Sequence, residues 1–333
     1  MLMRFGLRLI GYTAPVRRMV ELARMGEDAG FDSVWFPHDT FMHNTWVLTS
    51  AVATQTRRIE MGSVGTNPYT TDPSEIATYL ATLDELSGGR ALLGLGLHTT
   101  EMVQWTGIDA GNYMQRTREA TTLIRALLRG EHAEFQGQEF CWSEQCYLRF
   151  DPLRREVPIY ISAFGPDYLA LSGEIGDGSL PMLTPPESAP YMVEHIRRGA
   201  AAAHRPMDRF VISGCAWLSL SETRQAAAAA MKKMVAYFGP YLEEPALNMV
   251  GLSVRDMLPL KERVTAGDYE GAWSLVTEPM LRIGITGTPE DVIRRIEILH
   301  KQGINEINLG GPLGPDPAEA IRLMGSKVIP YFR

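Results

Sequence analysis

Gly62-Ser63-Val64-Gly65-Thr66-Asn67-Pro68-Tyr69-Thr70, with Leu83-Asp84-Glu85-Leu86-Ser87-Gly88-Gly89-Arg90-Ala91-Leu92-Leu93-Gly94-Leu95-Gly96-Leu97-His98 close behind, decides how the chain folds. The stretch reads as strand, irregular loop, helix, Gly-Gly connection and second strand. Both strands end in Gly, Thr, Asn or His, so backbone and small polar groups gather at one rim of a sheet. In parallel α/β proteins that rim is where ligands bind. Between the strands Pro73 opens a helix, and Ile76, Leu80, Leu83 and Leu86 are expected on its inner face.

Outward from this unit the same alternation continues almost from end to end. Strand candidates are Arg4–Ile10, Ser33–Phe36, Arg58–Val64, Arg90–Gly96, Pro158–Ala163, Gly178–Met182, Phe210–Trp217 and Glu306–Leu309, each followed by helical sequence. Sustained β-α alternation predicts a parallel sheet, and eight units predict closure into a (β/α)8 TIM barrel of the α/β class. The penultimate helix has clear punctuation. Thr288 is its expected N-cap, Pro289 sits in its first turn, Glu290 and Asp291 place negative charge at its dipole end, and Gly303 closes it. Two stretches exceed a minimal barrel. Glu131–Asp151 is expected to form a small excursion with a short hairpin. Residues from about 221 to 285, beginning with an Ala-rich helix, read as a helical insertion between strands seven and eight. With no linker or internal repeat, residues 1–333 read as one domain.

Bulk composition narrows the function classes. A hydrophobic share of 45% and a charged share of 21% suit an ordinary globular protein, and a net charge of −7 argues against a nucleic-acid surface. Cys141, Cys146 and Cys215 form an odd set without framework spacing, which suits a reducing cytoplasm. No apolar run reaches membrane length, and Arg4 and Arg8 interrupt the apolar N-terminus where a signal peptide would need it unbroken. A cytoplasmic protein without membrane or nucleic-acid partners is the expectation.

Several motifs are excluded by their spacing. After Gly94-Leu95-Gly96 the third Gly of a dinucleotide fingerprint is replaced by Thr99, and no Gly-x-x-x-x-Gly-Lys loop occurs. His38 and His43 lack metal-ligand spacing, the cysteines are not paired, and no Gly-x-Ser-x-Gly elbow is found, so no metal is expected.

What remains clusters after strands. His38-Asp39 follows strand two and His98 ends strand four; each is either a solvated loop residue or a tunable proton carrier in the catalytic basin. Thr66, Asn67 and Thr99 would face the same basin. Ala163-Phe164-Gly165-Pro166 follows strand five and is either an ordinary turn or an open helix N-terminus fit for an anion. Asn308-Leu309-Gly310-Gly311-Pro312 is its analogue after strand eight, where barrels often hold phosphate.

At these residues the chain resembles the bacterial luciferase-like superfamily of flavin- and deazaflavin-dependent barrels, over nearly its full length. Gly26-Glu27-Asp28-Ala29-Gly30-Phe31-Asp32-Ser33-Val34-Trp35 resembles the entry to that family's second strand. Thr66-Asn67-Pro68-Tyr69-Thr70 and Leu83 through Gly96 match its most specific signature, and Gly287-Thr288-Pro289-Glu290-Asp291-Val292 its penultimate element. The tail from Gly303 to Asp316, then Val328-Ile329-Pro330, is similar to the methylenetetrahydromethanopterin reductase branch, which uses coenzyme F420 in one-carbon metabolism.

The resemblance implies a set of roles. Val64-Gly65 would form a bulge with a non-proline cis peptide behind the deazaflavin ring. Thr66, Asn67 and Gly96 would line the ring, with His38, Asp39 and His98 near its reactive edge as catalytic groups. Ala163, Phe164 and Gly165 would approach the cofactor phosphate, and Gly310 and Gly311 would help close that side. A homodimer acting on a small molecule, with a pterin the leading substrate, is implied as well.

Three departures stand out. Where the reductase branch carries Phe-Gly-Ile-Glu, this chain has Phe5-Gly6-Leu7-Arg8, and an arginine cannot be deprotonated to carry a proton. Arg8 is instead a candidate for binding an anionic substrate, together with Thr99. The family's Gly-Val-Thr appears as Val64-Gly65-Thr66, and its Asp-His order as His38-Asp39. The expected reaction is hydride transfer between the deazaflavin C5 and a C=N or C=O carbon. Rival readings are an FMN-dependent monooxygenase, a nicotinamide-dependent methylenetetrahydrofolate reductase, and a barrel that binds cofactor without turnover.

Overall fold

Eight parallel strands close on themselves, which leaves no open sheet edge in the barrel. The computed structural model describes residues 3–10, 14–96, 105–162, 165–181 and 183–333. The strands are β1 (Arg4–Arg8), β2 (Ser33–Pro37), β3 (Glu60–Thr66), β4 (Ala91–Gly96), β5 (Ile159–Ser162), β6 (Gly178–Ser179), β7 (Val211–Leu220) and β8 (Glu306–Leu313). They pair in chain order, and β1 meets β8 with Arg4 opposite Glu306 to complete the ring. The fold expected from the sequence is the one observed.

Helices α1 (Val16–Ala29), α2 (Thr45–Gln55), α3 (Pro73–Ser87), α4 (Tyr113–Leu128), α5 (Gly165–Ile175) and α6 (Ala189–Ala202) pack outside. The main core lies between them and the sheet, built from residues such as Phe5, Val34, Ile76, Leu93 and Ile307. In α3, Asp72 caps the N-terminus and Gly88 takes the left-handed conformation at the C-terminus. Ile76, Leu80 and Leu83 are buried there, but Leu86 is 49% exposed. Ten residues at about 100° each carry Leu86 about 80° away from Ile76, off the inner stripe.

Some strands differ in length from the expectation. β6 has only two residues; Leu180 still donates to Ile161, and Pro181 then ends the ladder because it has no N–H. β7 runs to Leu220, where its far end gains a further parallel partner, the short strand Ile285–Gly287. Residues 135–136 and 141–142 form the expected hairpin, held by Glu119, whose carboxylate accepts the N–H groups of Gln138, Glu139 and Phe140.

The insertion comprises α7 (Arg224–Phe238), α8 (Glu244–Asn248), α9 (Val254–Thr265) and α10 (Tyr269–Leu275). It has an apolar cluster of its own, including Met231, Val235, Leu247, Leu260 and Ile283. That cluster packs on Leu183 and Trp217, so the insertion sits over the strand ends after β6 and within β7. The chain then returns through α11 (Pro289–Lys301), where Thr288 is the expected N-cap and also forms a capping box with Asp291, and ends with α12 (Pro317–Leu323) and two short turns. Among the described residues no helix is long and apolar enough to cross a membrane.

Candidate active site

Alternate residues of each strand face the barrel interior, and their chemistry changes from floor to mouth. At the floor Arg4 Nε lies 3.0 Å from Glu306 Oε2, and its Nη2 pairs with Glu60. Burial opposes the Arg4 charge, but Glu306 and Glu60 outweigh it and hold the guanidinium well above its ordinary range. Burial pushes the Glu306 carboxyl up in spite of Arg4. One layer higher, Asn308 Nδ2 donates to Ser213 Oγ at 2.5 Å and to Glu306 Oε1 at 3.2 Å. Gly6 is obligatory beside it, because a Cβ there would lie 1.5 Å from Asn308 Oδ1. Trp35 donates to Ser33 Oγ at 2.8 Å and packs 5.4 Å from the Tyr160 ring. With Val64, Leu92, Leu180 and Cys215 these rings fill the middle of the barrel.

At the mouth β3 carries a bulge. Ser63 pairs with Leu93 and Thr66 with Leu95, so three steps on β3 oppose two on β4. Gly65 supplies the turn with φ +74, a region that favours glycine. The expected cis peptide at Val64–Gly65 is corrected: among the described residues the cis bond is Gly311–Pro312, and the left-handed Gly65 alone accommodates the extra residue. The Gly65 N–H donates to Ser162 Oγ at 3.1 Å. Thr66 is fully buried, with its hydroxyl on Ser63 Oγ at 2.7 Å. Asn67 folds back so that its Oδ1 accepts the N–H and the hydroxyl of Thr70, each at 2.8 Å, and its Nδ2 stays buried without an acceptor.

His38 stands next to this bulge, since its N–H donates to the Val64 carbonyl at 2.8 Å. Its ring lies edge-on to Trp46 at 6.2 Å. Thr45 donates to the Pro37 carbonyl at 2.6 Å, which pins the loop carrying His38 and Asp39 against α2. Outside them, exposed Phe41 and Trp105 face each other at 6.4 Å. His98, Thr99, Ala163 and Phe164 lie outside the described residues.

On the opposite side of β1 the mouth is different in character. Arg8 ends β1, and its stem lies along Gly310, where a Cβ would sit 3.5 Å from Arg8 Cβ. Gly311 faces Ile10 in the same way. Both glycines therefore line the Arg8 side of the mouth, three strands from Gly165 after β5. Cys215 stands beside Arg8, and burial pushes its thiol up to about 11 against the pull of that guanidinium. Ser162, Ser179, Cys215 and Trp217 escaped the sequence reading. A period-two count along Val211, Ser213, Cys215 and Trp217 would have flagged the last two as inward-facing.

A luciferase-like monooxygenase family model matches residues 2–306, most of the chain. The chain belongs to that family. It is 34% identical to a 5,10-methylenetetrahydromethanopterin reductase of Archaeoglobus fulgidus over 99% of this chain and 100% of that protein. In three dimensions it is similar to the coenzyme F420-dependent tetrahydromethanopterin reductase from Methanopyrus kandleri, with a TM-score of 0.95 and 28% identity across the whole of both chains. An F420-dependent secondary alcohol dehydrogenase shares the fold, with a TM-score of 0.83 and 22% identity over the full length of each chain. As a luciferase-like family member, this chain is an enzyme of the oxidoreductase class. Among its described residues no group of three or more His, Cys, Asp or Glu could hold a metal ion.

Proposed function

We propose that the protein is a coenzyme F420-dependent oxidoreductase acting on a C=N or C=O carbon, with methylenetetrahydromethanopterin the first substrate to assay. The observation that carries this reading is full-length identity of 34% to a reductase of that type, alongside a β3 bulge at Gly65 in this chain. The residues present fit the cofactor. The bulge and the buried, acceptor-less Asn67 Nδ2 suit a flat heterocycle rich in oxygen. Gly165 opens α5 at φ +68 with nothing within 4 Å of its would-be Cβ, so the backbone there is accessible to an anionic tail.

In this reading Gly65, Asn67 and Gly96 would hold the ring, and Gly165, with Ala163 and Phe164 before it in the chain, would hold the phosphate. When bound, the deazaflavin supplies two-electron hydride chemistry at C5. The chain supplies position and protons. Ser162 fixes the bulge through the Gly65 N–H. His38, held by Val64 beside that bulge, is the group placed to deliver or take the proton that accompanies reduction, with Asp39 next to it. The insertion, seated on Trp217 and Leu183, would limit water access from the β6 and β7 side of the mouth.

Titration of the purified protein with F420 and with FMN, followed by deazaflavin fluorescence and flavin absorbance, tests the proposal. Saturable F420 binding and reduction of an electrophilic acceptor are expected. Tight FMN binding with consumption of O₂ would make the protein a monooxygenase instead.

A further inference from the structure

Inside the barrel two arginines face the same interior, and only one of them has its charge answered. Arg4 is held by Glu306 and Glu60 at the floor. Arg8, four residues on, joins no ion pair among the described residues, and its Nε is buried with no hydrogen-bond partner. Cys215 hydrogen-bonds the Arg8 side chain, and its thiol, pushed up to about 11 by burial, brings no counter-charge at physiological pH. Asn308 separates Arg8 from the floor carboxylates and is itself engaged by Ser213 and Glu306.

Arg8 is half-buried with its Nε enclosed, and a guanidinium partly withdrawn from water without a counter-charge is costlier than a fully exposed one. Its fork of Nε–H and Nη–H donors matches the two oxygens of a carboxylate or phosphate. Gly310 leaves the space in which the Arg8 stem lies, since a Cβ there would sit 3.5 to 3.7 Å from Arg8 Cβ, Cγ and Cδ.

We infer that Arg8 recognises an oxyanion of the substrate, a carboxylate or phosphate group carried close to the reducible carbon. A carbonyl compound bearing such a group suits this mouth better than an acceptor that is cationic at its reacting carbon, which Arg8 would repel. The inference rests on the proposed function only in placing the substrate at this end of the barrel.

Calorimetric titration of the full-length protein with oxamate and with inorganic phosphate separates the two oxyanion sources, and F420 titration is run in parallel. One of the two probes is expected to bind with a single site. Arg8→Gln should weaken that probe by about tenfold or more, and Arg8→Lys by less, because a lysine keeps the charge and loses the fork. F420 affinity should change by less than about threefold, the scatter expected of a group off the cofactor. Failure of both probes to bind the wild type below about 10 mM would overturn the inference, as would unchanged probe affinity in Arg8→Gln. An equal fall in F420 affinity would also overturn it, by making Arg8 a cofactor contact. Should Arg8→Gln lose its cooperative urea transition, Arg8→Lys decides: probe affinity equal to wild type then sinks the idea. Arg8-dependent probe binding with no F420 binding would leave the oxyanion site standing and remove the proposed function.

Discussion

The Gly65 N–H reaches Ser162 Oγ across an intervening strand. Gly65 is on β3 and Ser162 on β5, and β4 passes between them. The approach is possible because β4 offers glycine at both crossing points. A Cβ on Gly94 would lie 2.3 Å from the Ser63 carbonyl oxygen, and one on Gly96 would lie 2.5 Å from the Ser162 carbonyl oxygen. Ser162→Ala leaves the Gly65 donor buried and unpaired, which costs about 1–3 kcal/mol. Urea denaturation should show that loss, and F420 affinity should drop with it; an unchanged midpoint would mean water replaces the hydroxyl without cost.

Gly65→Val tests the bulge directly. A β-branched residue is poorly tolerated at φ +74, so roughly 2 kcal/mol or more of stability should go. The barrel should still give native-like circular dichroism, while F420 binding is abolished. A variant that binds F420 as well as the wild type would separate the bulge from the cofactor.

His38→Ala should lower kcat by about 10²–10⁴-fold, the range for a general acid–base group, while F420 affinity stays nearly constant. Equal losses in turnover and affinity would assign His38 to binding.

Part of the acid limb of stability should trace to Glu187. Its Oε1 accepts from Arg282 at 2.9 Å and from Arg295 at 3.0 Å, joining the turn before α6 to the insertion's exit and to α11. Burial pushes this carboxyl up, but the hydrogen bonds from Arg295 and Arg282 outweigh it and set it at about 2. The folded value is below the unfolded one, so the stabilisation is complete above the ordinary carboxylate range and fades as pH falls toward about 2. Over that window the wild type should lose on the order of 1–3 kcal/mol that Glu187→Gln does not lose, after allowance for partial exposure of the cluster. Parallel pH profiles for the two proteins would contradict this.

Gly6→Ala should be among the most damaging single changes. Its methyl would overlap Asn308 Oδ1, and Asn308 is fixed between Ser213 and Glu306. About 3 kcal/mol or more of destabilisation is expected, read from the urea midpoint or from loss of soluble protein.

The barrel was legible because each β-α unit announces itself locally, through apolar runs, caps and glycine turns. Thr288 before Pro289, and Pro73 at the head of α3, needed no knowledge of distant residues, although the Asp72 cap beside Pro73 went unread. Leu86 misled because a stripe counted in steps of three and four drifts over ten residues. At the mouth, His38 and Arg8 were visible as chemistry at strand ends. Ser162 and Cys215 were not, since their roles depend on which strands lie side by side and which face turns inward. The Val64–Gly65 peptide was expected in cis from resemblance, whereas its actual geometry follows from where the glycine falls in this sequence.

The strand Ile285–Gly287 lies beside the end of β7, with Thr286 opposite Ser219 and Gly287 opposite Leu220. The insertion thus departs and comes home at hydrogen-bonded neighbours, like a drawer fitted into a frame. Closing such a loop becomes only slowly more costly as it lengthens. Evolution, or an engineer, can therefore exchange the whole drawer to suit a new substrate while the cylinder beneath keeps its register.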